Sequence, residues 1–425
     1  MAESLSPDAP LHRAARYGAS WLWLALVLIL PLPALALRLG AFSADVTLAT
    51  ALYGLAVVGA AFALTWASEA AERDVSQALA LAVLALIAVL PEYAVDMTFA
   101  WKAGHDPAYA AYAAANMTGG NRLLVGVGWP VVVLVFAFAS RQKLLQLARS
   151  HALELTFLGI ATLYSFTIPL KGSIAPYDAA ILIGLFCAYL WLAAKSPTEE
   201  VEPVGPAATI AELPRRARRL ALLVLFAYAA AVVVLCAEEF ASGLVETGAR
   251  LGVDRFLLVQ WVAPLASEAP EMIAAILLSL RGRASAGMGA LISSKINQWT
   301  LLVGGLPLAY SLSRGGWHAL ALDSRQIEEF VLTAAQSAFA VAVLVSLTLS
   351  RREAVALFGL FVVQLPFESV MARYAISTIY LVLTLITLTR QRQDLRALWR
   401  WWRTGRPVQE PAAEPVAEPW QADRR

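Results

Sequence analysis

Glu92 follows Pro91 in the run LPEYAVD, and Glu271 follows Pro270 in SEAPEM, each within a stretch that is otherwise apolar. A carboxylate near the centre of a bilayer costs about 2.5–3.5 kcal/mol or more, so buried acids of this kind mark a polar site. Asp96 lies four residues after Glu92 and Glu268 three before Glu271, spacings that put each pair on one helix face. The runs ANMTGGN (115–121) and SSKIN (293–297) add Asn116, Thr118, Asn121, Ser293, Ser294 and Asn297, and Ser267 adjoins Glu268. Carboxylate, amide and hydroxyl oxygens together suit a hard cation such as Ca2+, Na+ or Mg2+. The four histidines lie near span ends or tails and the two cysteines, Cys187 and Cys236, are isolated, so neither a soft-metal site nor a disulfide framework is expected. Pro91 and Pro270 each remove a helical hydrogen bond and free a carbonyl, which makes them candidate helix breaks beside the two glutamates.

Two cations fall among these acids, Arg122 and Lys295. One reading has each neutralise a structural acid, the other has it occupy a position otherwise held by a transported cation. Counted formally, Glu92, Asp96, Glu268 and Glu271 carry −4 and the two cations return the cluster to −2, the charge of one divalent or two monovalent ions. The glycines of the partner helices, Gly119 and Gly120 among them, allow helices to approach closely and need no ligand role.

The elements that carry these residues are membrane spans. Of 425 residues, 59% are apolar and 15% charged, against about 45–50% and about 25% in soluble domains. The 33 basic and 31 acidic residues give +2, which provides no basic face for nucleic acid. Twelve apolar runs are predicted as helices at 18–37, 46–67, 75–101, 108–139, 152–170, 176–194, 217–243, 254–280, 284–312, 327–349, 353–367 and 373–389. The uncharged length of the first run favours a retained span over a cleaved leader. Residues 195–216 and 390–425 read as solvated segments.

An internal repeat organises the spans. LPEYAVD and the Gly-rich run to Trp129-Pro130 recur as SEAPEM and the run to Leu306-Pro307, Glu154 pairs with Glu329, and DAAILIGLF from Asp178 pairs with EAVALFGLF from Glu353. The offsets drift from 179 to 177 to 175. The expected organisation is a first segment with an extra helix (1–45), a five-helix repeat (46–194), a loop (195–216), a second repeat (217–367), and a last helix with a tail (368–425). Five is odd, so the repeats are expected to cross the membrane in opposite senses, a plan of secondary transporters. With an even number of spans both termini share a side, and that side holds 23 basic residues against eight on the other. The bias places the termini in the cytoplasm.

At the Pro-Glu and Asn-rich motifs the sequence resembles the sodium/calcium exchanger family of the Ca2+:cation antiporter superfamily. The two repeats of that family read approximately T-S-L-P-E, then G-N-x-x-G-S-N-x-x-N. The resemblance implies an antiporter with alternating access, in which Glu92 and Glu271 match the ion-binding glutamates and Asn116 and Asn121 the first-repeat asparagines. Asn297 matches within one or two residues of register, and Ser267 falls on the threonine of the second motif. Departures are Ala88 and Val89 for the hydroxyl pair, Glu268 for a hydroxyl, Leu124 for the last asparagine, and the added Arg122 and Lys295.

The sequence therefore describes an all-α polytopic membrane protein of about twelve helices. Its expected work is secondary antiport of Ca2+ or another cation against Na+ or H+, with Asp96 and Glu268 as proton or charge partners. The alternatives are a monovalent cation/proton antiporter and a non-transporting scaffold or sensor that has lost ion binding. No nucleophile-base pair or catalytic histidine lies within a span, so an enzyme is not expected. The lipid bilayer and inorganic cations are the expected partners, with no cofactor and no nucleic acid, and short loops suggest a prokaryotic plasma membrane.

Overall fold

The computed structural model describes residues 9–71, 73–74, 89–195, 203–367 and 369–397. The first half begins with α1 (Ala9–Ile29) and α2 (Leu32–Arg38), separated at Pro31, followed by α3 (Val46–Ala71) and α4 (Leu90–Ala103). α5 (Tyr109–Leu123) runs through a π-helical segment (Leu124–Gly128) into α6 (Trp129–Ser140). Strand β1 (Leu144–Gln146), α7 (Ala152–Ser165), α8 (Thr167–Lys171), β2 (Ser173–Ile174) and α9 (Pro176–Ala193) complete it. After the short α10 (Pro206–Ala211), the second half has α11 (Arg215–Leu251), α12 (Arg255–Leu280) and α13 (Ala284–Asn297). A second π segment (Gln298–Leu302) leads into α14 (Val303–Arg314), and β3 (Leu320–Ala321), α15 (Ser324–Leu344), β4 (Thr348–Ser350), α16 (Arg351–Gln364) and α17 (Val370–Arg390) follow.

Among the described residues, nine helices are long and apolar enough to cross a membrane, and the protein is a multi-pass, all-α membrane protein. The twelve expected spans also count α4, whose preceding residues 75–88 lie outside the described residues, the polar stretch from α13 to α14, and the 14-residue α16. Large apolar side chains such as Leu163, Leu170, Leu223 and Met371 cover the outside, as a hydrocarbon solvent favours. Small residues line the inside. α3 packs along α11 where Gly54 meets the Phe240 ring and Gly243 meets Thr50, and the Thr50 and Thr247 hydroxyls bond at 3.0 Å.

The two halves are tied by strand pairs that exchange under one numerical shift. β1 pairs with β4, Leu145 opposite Leu349, and β2 pairs with β3, Ile174 opposite Leu320. Adding 175 to Leu145 reaches Leu320, and subtracting 175 from Leu349 reaches Ile174. The same shift relates the starts of α9 and α16, where Asp178 accepts from the Ala175 amide at 2.6 Å and Glu353 from the Ser350 amide at 2.8 Å. α16 packs on the first π segment and α9 on the second.

Pro91 stands in the first turn of α4, where its missing N–H deprives no helical carbonyl, and residues 75–88 ahead of it lie outside the described residues. Pro270 does lie inside α12, with Pro264. The 195–216 connection is not wholly solvated, because α10 buries Pro206, Ala207, Ile210 and Ala211 and packs on α1 and α3. Residues 196–202, 1–8 and 398–425 lie outside the described residues.

Candidate functional site

The site forms where α5 meets α12. Pro264 has no N–H to give the Gln260 carbonyl one turn earlier, and that carbonyl lies against Gly119, where a Cβ would overlap it. A Cβ on Gly120 would in turn collide with Glu268 Oε1. Two adjacent glycines thus admit the α12 backbone and its carboxylate to contact with α5, a close approach that larger residues would block.

Glu92 and Asp96 on α4 and Glu268 on α12 are buried, Asp96 completely, while Glu271 is partly exposed beside Ser294. Gln298, the first residue of the second π segment, donates to Glu268 Oε1 at 2.8 Å and lies beside Glu92, so one amide bridges acids from the two halves. Other oxygens of this cluster are unsatisfied. Both Asp96 oxygens, Asn116 Oδ1 and Glu268 Oε2 are buried without a hydrogen-bond partner, although Asn116 lies beside Asp96. Buried carboxylate oxygens without protein partners are places where a cation or a proton is strongly stabilised.

Most of the remaining candidates are engaged by protein groups. Tyr93 Oη donates to Asn297 Oδ1 at 2.7 Å. Lys295 Nζ donates to both the backbone oxygen and Oδ1 of Asn121 at 3.0 Å, and Asn121 Nδ2 donates to the Met117 carbonyl at 3.0 Å. Ser267 bonds back to Ala263 O and Pro264 O at 3.3 and 3.2 Å, the local role open to any helical serine. Thr118 does likewise with Ala114 O. Ser293 meets Tyr189 Oη at 3.1 Å, and Ser294 Oγ is buried without a partner. Among the described residues, no group of three or more His, Cys, Asp or Glu side chains is arranged to hold a metal ion. Any cation bound in this conformation would draw on amide and carbonyl oxygens beside the acids.

Arg122 and Lys295, alike in sequence, are separated by the structure. Arg122 is ion-paired with Glu329 at 2.5 Å, and Arg373 on α17 reaches Glu329 at 3.1 Å and Glu328 at 3.5 Å. All four are buried, with two charges of each sign, and the Trp261 ring lies 4.9 Å from the Arg122 guanidinium. Arg122 therefore neutralises a structural acid and leaves the formal count of the cluster. Glu238 and Glu239 pair at the periphery with Lys102 at 3.2 Å and Arg38 at 2.8 Å, away from the buried acids.

Sequence reasoning missed Gln298, Tyr93, Glu328 and the pairing of Arg373. Gln298 had a signal, because the offset of 177 at the Gly-Pro end of the repeat places it opposite Asn121. Arg373 and Glu328 lie 45 residues apart on different helices, and no local spacing connects them.

A family model described as sodium/calcium exchanger protein matches residues 46–195 and 221–370. The chain is similar to the crystal structure of an H+/Ca2+ exchanger, CAX, with 47% identity and a TM-score of 0.87 over 91% of this chain and 98% of that one. Its fold is also similar to that of native YfkE, with 14% identity and a TM-score of 0.60 over 84% of this chain and 99% of the other. A structure of the sodium-calcium exchanger NCX_Mj gives 16% identity and a TM-score of 0.51, covering 75% and 98%. No curated protein matches.

Proposed function

The chain belongs to the sodium/calcium exchanger family and is a multi-pass membrane antiporter of cations, and we propose that the ions it exchanges are Ca2+ and H+. The observation that carries this reading is the pair of buried acids outside the family motif. Asp96 and Glu268 present three carboxylate oxygens without hydrogen-bond partners next to the motif glutamate Glu92. Protons taken up there neutralise the cluster as Ca2+ leaves, and Ca2+ binding expels them. Competition for one set of oxygens couples the two fluxes without a chemical step. The similarity to an H+/Ca2+ exchanger at 47% identity supports the same choice of ions.

In this reading Glu92 and Glu271 bind the cation with Asn116, and Asn121, Asn297 and Ser267 shape the surrounding shell. The transported ion is substrate. Residues 46–194 and 217–367 are two repeats of opposite orientation that rock to give alternating access, a division supported by strand pairs that interchange under a shift of 175 residues. The basic bias favours cytoplasmic termini, and the prokaryotic plasma membrane fits the short connections. A monovalent cation/proton antiporter is the second reading, favoured because no three acids among the described residues are arranged to hold a metal ion. The scaffold reading is weakened, because Arg122, one of the two cations that would oppose ion binding, is neutralised by Glu329.

Reconstitution separates these readings. Ca2+ uptake into proteoliposomes driven by a pH gradient, and not by a Na+ gradient, is expected; uptake driven by Na+ alone, or Na+ or K+ exchange for H+ without Ca2+ flux, would replace the proposal.

A further inference from the structure

Lys295 is completely buried, yet no carboxylate lies within ion-pair distance of it among the described residues; the Glu268 charge acts on it from farther away. A buried ammonium without an adjacent counter-ion is costly, and its partners are chosen accordingly. Nζ lies 3.0 Å from Asn121 O and 3.0 Å from Asn121 Oδ1, with the Trp299 ring centroid 5.6 Å away. Two carbonyl-type oxygens converging on one positive point resemble the surroundings that replace the hydration shell of a small monovalent cation. Asn121 sits just before the π segment Leu124–Gly128, the kind of helix widening that recurs at functional sites.

We propose that the Lys295 ammonium permanently fills a monovalent-cation subsite at Asn121, so that no free monovalent ion is required there and the acids are left to one divalent ion and protons. The inference rests on the antiport reading above and deepens it. Arg122 shares none of this, because Glu329 and Arg373 hold it in a separate network. Lysine suits the role geometrically. Its point charge on a flexible stem reaches from α13 across to α5, whereas a guanidinium would impose a planar fork. The tethered charge cannot be transported, so it sets how many mobile ions the site takes.

The test is Lys295→Met, which keeps an apolar stem and frees the Asn121 oxygens. In detergent, thermal unfolding and Ca2+ titration are measured in choline, Na+, Li+ and K+ chloride. One of the alkali cations is expected to stabilise the variant and to change its Ca2+ affinity about tenfold, within the usual size of coupling between two ligands. Wild type should respond by less than about twofold, well below such coupling. Lys295→Gln serves as the second variant. A folded variant indifferent to every alkali cation would overturn the proposal, as would failure of both variants to fold in any of these salts, since the lysine would then be purely structural. Alkali-cation binding is read without transport, so a wild type inactive in Ca2+/H+ exchange would defeat the functional reading while leaving this outcome separate.

Discussion

Arg122 and Glu329 meet at 2.5 Å in the buried interior, one on α5 and the other on α15. Arg373, in the first turn of α17, clasps the far oxygen of Glu329, so the last span is fastened to the helix that carries Asn116 and Asn121. The pair explains how an arginine can be buried on the helix that carries Asn116 and Asn121. Its charge is already answered.

Removing one member of this network leaves its partner charged and buried, which costs about 3–5 kcal/mol. Glu329→Gln is expected to lower the unfolding temperature of the purified protein strongly. The double variant Arg122→Met/Glu329→Gln should recover most of the loss, and a simple sum of the two single effects would contradict a direct pair.

Gln298 is expected to act on the acids rather than on the fold at large. Gln298→Leu removes the donor to Glu268 Oε1, and half-saturating Ca2+ should rise about tenfold, the equivalent of a charged hydrogen bond of roughly 1.5 kcal/mol. An unchanged Ca2+ dependence in a folded variant would show that the bridge plays no part in binding.

The contact of α5 with α12 gives a steric expectation. A Cβ at Gly119 would enter the Gln260 carbonyl, so Gly119→Ala should destabilise by about 1–3 kcal/mol, the usual penalty of overpacking, and abolish exchange. Gly184 has open space at the same test position, and Gly184→Ala should be silent in both assays.

Beyond the end of α3, Asp74 is held by Arg218 at 2.6 Å and Arg219 at 3.2 Å. The hydrogen bond from Arg218 holds its carboxyl below the usual range. A depressed folded value stabilises at pH above the unfolded value of about 3.9, and the contribution is lost as pH falls through the folded value. The unfolding temperature of Asp74→Asn should therefore lie below wild type near neutral pH and converge with it in strong acid; a gap that persists there would contradict the ion pair.

Much of the membrane plan was legible because hydrocarbon demands long apolar runs and makes every buried charge conspicuous. The pairing of Asp178 with Glu353 was visible for the same reason, and both acids cap helix starts in the structure. The identity of each acid's partner was not legible. Glu329 matched Glu154 in the repeat, but Glu154 pairs with His151 at 3.5 Å while Glu329 binds two arginines. Repeat position fixes where a residue enters the fold, whereas its partner depends on α5 and α17, which lie far from α15 in the chain.

The most direct test is Ca2+ flux through proteoliposomes under an imposed pH gradient, comparing wild type with Glu92→Gln and Glu271→Gln at equal amounts of folded protein. Proton-driven Ca2+ uptake by wild type, lost in both variants, is the expected result. Uptake retained in both would contradict the assignment of Glu92 and Glu271 as the residues through which the exchanged ions compete.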